Sequence, residues 1–200
     1  MTAEPDPDWA APSGRRPGRS SAARRPAPAG MSAIDRLIAY EEIRQLVNRY
    51  ALAVNMRDHA ALVELFVDDV AAGDGRTGRA ALAELFTLRQ GDALVDVLEV
   101  TTQVTDLVDA DHATGTVYSR CEMGGPGRWA RQSIAYEDVY ERRDGTWYFV
   151  ARSHLLFYGL ELPERPLDQP PARWPHSPVG RGTVPYDWPS WQASFTPTSR

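Results

Sequence analysis

The period of the apolar residues changes once along this chain, and that change restricts the fold class. Ile34, Leu37, Ile38, Ile43, Leu46, Val47, Tyr50 and Val54 recur at helical spacing and predict one long amphipathic helix. Asp58 is a good N-cap for a second helix carrying Leu62, Leu65 and Phe66. A third helix is expected from about Arg79 to Arg89, with Leu82, Leu85 and Phe86 on one side. Between them, Asp68 to Gly75 breaks the helical pattern and is expected to hold a short strand. After Gly91 the period becomes two. Helices first and an alternating meander afterwards predict an α+β domain.

The alternation assigns faces. Leu98, Val100, Thr102, Val104, Asp106 and Val108 share one face of a long strand. Asp109 to His112 reads as a turn. A second strand puts Val117, Ser119, Cys121 and Met123 on one face, with Tyr118, Arg120 and Glu122 opposite; Gly124 to Gly127, including Pro126, makes the next turn. A third strand sets Gln132, Ile134, Tyr136, Asp138 and Tyr140 against Arg131, Ser133, Glu137 and Glu141, so the first set points inward. Asp144-Gly145 signals a hairpin. The last strand then carries Trp147, Phe149 and Ala151 on one side and Tyr148, Val150, Arg152 and His154 on the other.

Proline marks the domain limits. Of 16 prolines, only Pro126 falls between Met31 and Gly159, and proline interrupts both helix and ladder. Residues 1–30 are rich in Pro, Ala, Ser and Arg and are expected to form a disordered tail. Arg15, Arg16, Arg19, Arg24 and Arg25 are followed by no apolar core of the kind a secretory signal needs. Residues 31–159 form the predicted domain. Residues 160–200 are proline-rich yet keep Trp174, Tyr186, Trp188, Trp191 and Phe195, so this tail is expected to lie extended over the domain or a neighbouring subunit.

Composition excludes several chemistries. All 22 basic residues are arginine, so Schiff-base, pyridoxal phosphate and phosphate-loop lysines are absent. One cysteine, Cys121, leaves no internal disulfide and no thiolate cluster. His59, His112, His154 and His176 lack metal-motif spacing, and no metal or cofactor is expected. A net charge of -5 argues against a nucleic-acid partner. No apolar run approaches the ~20 residues a membrane span needs, and a cytoplasmic location is expected.

Three stretches carry a family resemblance. They are the helix Ile43 to Asn55 with Arg57-Asp58 and Leu62 to Val70, then Val104-Thr105-Asp106, then Tyr136 to Phe149. Together they resemble the nuclear transport factor two-like superfamily, SnoaL-like domains, in the subgroup similar to scytalone dehydratase and hexachlorocyclohexane dehydrochlorinase. The resemblance covers about Ile34 to Tyr158. It implies a cystatin-like cone, in which N-terminal helices pack on a curved antiparallel sheet and enclose a pocket for a small apolar molecule. It also implies dimers or trimers packed through the sheet, and the apolar stripe Trp147, Phe149, Leu155 and Phe157 is the expected interface. In such relatives an Asp–His pair does the chemistry, the carboxylate ending the first helix and the histidine on the first long strand. The matching positions here are read as Asn55 and Thr102, so both halves are replaced.

The remaining candidates each have two readings. Tyr50 is either a proton donor or an amphipathic core tyrosine. Asn55 either hydrogen-bonds a substrate oxygen or caps its helix. His154 is either a displaced base or a satisfied core histidine. Arg152 binds a ligand or, more in keeping with its neighbours, pairs with Asp138. Thr102, Ser119, Cys121, Gln132, Tyr136 and Asp138 are expected to shape the pocket, and His59 and His112 to be solvated. The resulting expectation is a cofactor-independent lyase, isomerase or cyclase acting on a small apolar, polyketide-like ring compound. The alternatives are a ligand-binding or accessory protein that lost the dyad, or the small subunit of an oxygenase.

Overall fold

A computed structural model of the chain describes residue 23 and residues 25–91, 93–125 and 127–195. Almost all of the leading tail and the turn proline Pro126 lie outside the described residues. Helix α1 (Ala33–Met56) starts at a capping box, where Ser32 Oγ accepts from Asp35 N at 3.1 Å and Asp35 accepts from Ser32 N at 3.3 Å. It stops at Arg57, whose φ of 52° is left-handed. Asp58 then caps α2 (His59–Glu64) by accepting from Ala61 N at 2.9 Å. Helix α3 spans Arg79–Gln90.

Four strands follow: β1 (Val95–Leu107), β2 (His112–Gly125), β3 (Arg128–Arg143) and β4 (Thr146–Glu161), paired antiparallel in chain order. Asp144 and Gly145, at φ 50° and 82°, make the β3–β4 turn that the Asp-Gly pair calls for. Helix α1 lies on the inner face, and Ile43, Val47, Leu62, Phe66, Leu82, Val117 and Phe149 fill the space between.

Bulges decide which side chains face inward. An irregularity between Val100 and Thr102 reverses the alternation of β1. Leu98 therefore faces the core, while Thr102 is exposed and Gln103 and Leu107 take the inner positions beyond the bulge. The predicted single face from Leu98 to Val108 is thus two half-faces. In β4 a second irregularity, opposite Val139/Tyr140, brings Phe149 and Arg152 to the same side, although their spacing of three puts them on opposite sides of a regular strand. The expected interface stripe divides accordingly: Trp147 and Phe149 are buried in the core, and Phe157 is 62% exposed.

Other elements also differ from the sequence reading. Helix α2 ends before Leu65 and Phe66, and Phe66 instead forms a parallel bridge with Phe149. Residues 68–75 hold no strand beyond an isolated bridge of Ala71 with Thr77, because Gly73, Asp74 and Gly75 all adopt left-handed φ. Ile34 and Leu37 are exposed, so the buried face of α1 begins at Ala39. The tail expected to be extended is helical at Pro166–Asp168 and at α4 (Pro189–Ser194). Its end is clipped to the domain: Ser190 Oγ donates to Met56 O and Trp191 Nε1 to Leu94 O, each at 2.8 Å, and Phe195 lies 4.6 Å under the Arg57 guanidinium.

Beneath α1, Asp138 and Arg152 form an ion pair at 0% and 1% exposure. Arg152 Nε and Nη2 donate to the two carboxylate oxygens at 2.8 and 2.7 Å, and Tyr140 donates to Asp138 at 2.8 Å. The guanidinium carbon sits 4.2 Å from the Tyr50 ring centre and 4.3 Å from those of Tyr136 and Phe149. Burial works against the Arg152 charge, and Asp138 more than offsets it, so the proton stays on. Removing one partner strands the other. Asp138→Ala is therefore expected to lose about 3–5 kcal/mol in urea unfolding, and the apolar pair Asp138→Leu with Arg152→Met to lose far less.

Candidate functional site

The inner face of the sheet and the three N-terminal helices enclose a cavity of about 260 Å³. Its walls are mostly apolar, supplied by Val54, Leu62, Leu85, Phe86, Leu98 and Met123. That size lies just below the roughly 300–1,000 Å³ usual for small-molecule sites, and a few convergent polar groups are the usual means of orienting a ligand there.

Those groups come from every wall. Tyr50 projects from α1, Cys121 from β2, Gln132 and Tyr136 from β3, and His154 from β4. The even spacing of Gln132, Ile134 and Tyr136 along a regular strand puts all three on the cavity side. His154 pairs across the ladder with Tyr136, their rings 5.7 Å apart and at 74°. It is exposed, so it stands at the cavity rim rather than in the core.

Burial keeps the other polar groups neutral. It raises the Tyr50 hydroxyl above its ordinary value, with the Arg152 charge pulling the other way. It raises Tyr136 well above that value. The Cys121 thiol is pushed up to about 12 by burial, then by the negative charges of Asp96 and Glu122. At neutral pH these three are hydrogen-bond donors, not anions.

The other predicted site residues lie elsewhere. Asn55 spends its amide on the main chain of Leu98, accepting from Leu98 N at 2.7 Å and donating to Leu98 O at 3.3 Å. The strand residue opposite the end of α1 is thus Leu98, and Thr102 points to solvent on the far face beyond the bulge. Ser119 is 2% exposed, with its hydroxyl unpartnered, and does not line the cavity. Asp138 and Arg152 form the ion pair below Tyr50 and Tyr136 and also do not line it.

Three lining residues escaped the sequence reading. Asp96 is 8% exposed and is the single carboxylate in this lining among the described residues. Extending the alternation two residues back from Leu98 finds it. His59 was expected in solvent, yet it lines the cavity 3.3 Å from Thr87 Oγ1. Thr87 donates to Ala83 O, so its oxygen accepts from His59 Nδ1. Arg89 enters from the last turn of α3. Helical spacing carries the signal for both: Arg89 follows Leu85 by four residues and Phe86 by three, and His59 precedes Leu62 by three. Among the described residues, no group of three or more His, Cys, Asp or Glu is arranged to hold a metal ion, and no helix is long and apolar enough to cross a membrane.

Comparison with known proteins agrees with this architecture. No curated protein matches the chain significantly. Among solved structures, the chain is similar to LinA at 25% identity and TM-score 0.60, over 68% of this chain and 97% of that one. It is similar to hexachlorocyclohexane dehydrochlorinase LinA-type3 from Novosphingobium barchaimii at 23% identity and TM-score 0.60, over 67% and 97%. It is also similar to a putative scytalone dehydratase from Novosphingobium aromaticivorans at 18% identity and TM-score 0.59, over 67% and 94%. The family model that describes the SnoaL-like domain matches residues 35–153, more than half of the chain, and the chain belongs to that family.

Proposed function

We propose that this chain is a cofactor-independent enzyme of the lyase or isomerase type, acting on a small, largely apolar ring compound of polyketide-like character. One observation carries the reading: an apolar cavity in which two neutral phenols, Tyr50 and Tyr136, and the rim imidazole of His154 converge. Tyr50 and Tyr136 donate to a carbonyl or hydroxyl oxygen of the substrate, in a setting that excludes water and strengthens each hydrogen bond. Gln132 and the Cys121 thiol orient the ring. His154 moves a proton at the open end. Asn55 acts as a positioning residue that fixes β1 against α1. The names of the similar structures, a dehydrochlorinase and a putative dehydratase, denote elimination from cyclic molecules and support the same reaction class.

One observation favours a binding or accessory role, such as a small oxygenase subunit. Both amide atoms of Asn55 are engaged by Leu98, so the end of α1 offers no reactive group. A panel of cyclic hydroxyketones and halogenated rings, followed by chromatography, separates the two. An enzyme turns over at least one compound, and Tyr50→Phe and His154→Ala each lower kcat/KM by about 10²-fold or more. Saturable binding without turnover establishes the accessory role.

The outer sheet face supports assembly in the same reading. Tyr118, Leu156, Phe157 and Leu160 are exposed there, with the Tyr118 and Phe157 rings 5.7 Å apart. We therefore expect a homodimer or homotrimer by light scattering; a monomer mass removes this part of the proposal. The reading also sets the protein in the cytoplasm, where Cys121 stays a thiol.

The neutrality of Cys121 has its own check. Below pH about 9 the thiol is protonated whether folded or unfolded, and between about 9 and about 12 only the folded form holds its proton. Stability therefore falls as pH rises through that window, and Cys121→Ala removes this part of the slope in urea titrations. At pH about 8 the folded protein is expected to leave a disulfide reagent unreacted until it is unfolded.

A further inference from the structure

We infer that Asp96 is the proton acceptor of this cavity, taking a carbon-bound proton from a ring substrate whose adjacent carbon bears a leaving group. The inference rests on the reaction class proposed above and assigns the group that reading leaves open.

The position follows from the strand. Asn55 is held to Leu98, so the strand residue facing the end of α1 is an aliphatic side chain. Asp96 lies two residues earlier on the same face, roughly 6.6 Å along the strand. It is 8% exposed and lines the cavity, whose walls also carry Leu85, Phe86, Ala93 and Met123. A carboxylate stripped of most of its water in an apolar enclosure is a better base toward carbon than a solvated one. Its charge reaches the cavity interior, since the Cys121 thiol, already raised by burial, is raised further by Asp96. The Arg57 guanidinium, 8% exposed with its Nε unpaired, donates to Ala93 O and is attracted to Asp96. Arg89 lines the same space. An uncompensated carboxylate is costly to bury, and the attraction of the Arg57 charge offsets part of that cost.

The step balances without a co-reactant. The C–H bond breaks and its proton goes to an Asp96 oxygen, while the electron pair forms the new double bond. The neighbouring C–O bond breaks, and the hydroxyl leaves as water after receiving a proton from the His154 imidazolium. Asp96 then releases its proton to water that enters as the product leaves, and His154, exposed at the rim, regains one from solvent.

A probe reaction tests the assignment without the natural substrate. 5-Nitrobenzisoxazole is a small aromatic ring whose C3 proton is removed by a base while its N–O bond breaks; the electron pair stays on oxygen, giving a nitrile and a coloured phenolate. The wild-type protein is expected to catalyse this saturably. Asp96→Asn is expected to lower the rate by about 10²-fold or more. Asp96→Glu retains part of it, and Glu99→Gln, a carboxylate on the opposite face of β1, leaves it unchanged. Binding of indazole, which has the same ring shape and no N–O bond, is followed in parallel by saturation-transfer NMR on each urea-checked variant. If indazole binds and Asp96→Asn reacts as fast as wild type, or wild type does not react at all, the assignment to Asp96 is wrong and the cavity reading stands. If indazole does not bind the wild type, the cavity reading fails and takes this inference with it.

Discussion

The ion pair of Asp138 and Arg152 is the constraint around which the sheet and the first helix are arranged. A guanidinium with 1% exposure is tolerable only where both its hydrogen-bonding edge and its faces are occupied. Asp138 takes the edge on the neighbouring strand, and Tyr50, Tyr136 and Phe149 take the faces. Those three rings belong to α1, β3 and β4, so satisfying one charge fixes the spacing of a helix over two strands. Two of these rings, Tyr50 and Tyr136, also line the cavity. Tyr50 and Tyr136 present one side to Arg152 and the other to the ligand space, which makes the site rigid from below.

The bulges convert a regular meander into this shape. Without the irregularity in β4, Phe149 and Arg152 face opposite sides of the sheet, and the aromatic box loses a wall. The irregularity in β1 has a parallel effect. It lets the first half of the strand serve the cavity through Asp96 and Leu98, while the second half turns Leu107 into the core. Each bulge also bends its strand, which curves the sheet around the helices.

This accounts for what the sequence disclosed and what it hid. Period-two alternation read β2 and β3 well, because neither strand contains an extra residue, and Gln132, Tyr136 and Cys121 were placed on the cavity side by counting alone. The same counting failed at Thr102, since a single inserted residue inverts every position beyond it. It also missed the shared side of Phe149 and Arg152. Bulges leave no dependable mark in side-chain pattern. Asp58 and Asp144-Gly145 were legible because caps and tight turns depend on local chemistry. His59 and Arg89 stand at helical spacing from Leu62 and from Leu85 and Phe86, yet a polar residue at a helix end reads as solvated until the docking of the helix is seen. The pairing of Arg152 with Asp138 was foreseeable from adjacent inner positions, yet the aromatic enclosure required the fold.

The clip formed by Ser190 and Trp191 tolerates change in the segments it holds. Ser190 and Trp191 hold main-chain carbonyls of Met56 and Leu94, not side chains. An anchor of that kind is indifferent to which amino acids occupy positions 56 and 94. Substitution at either position leaves the acceptor carbonyl in place, so the attachment of the tail does not depend on the side chains there.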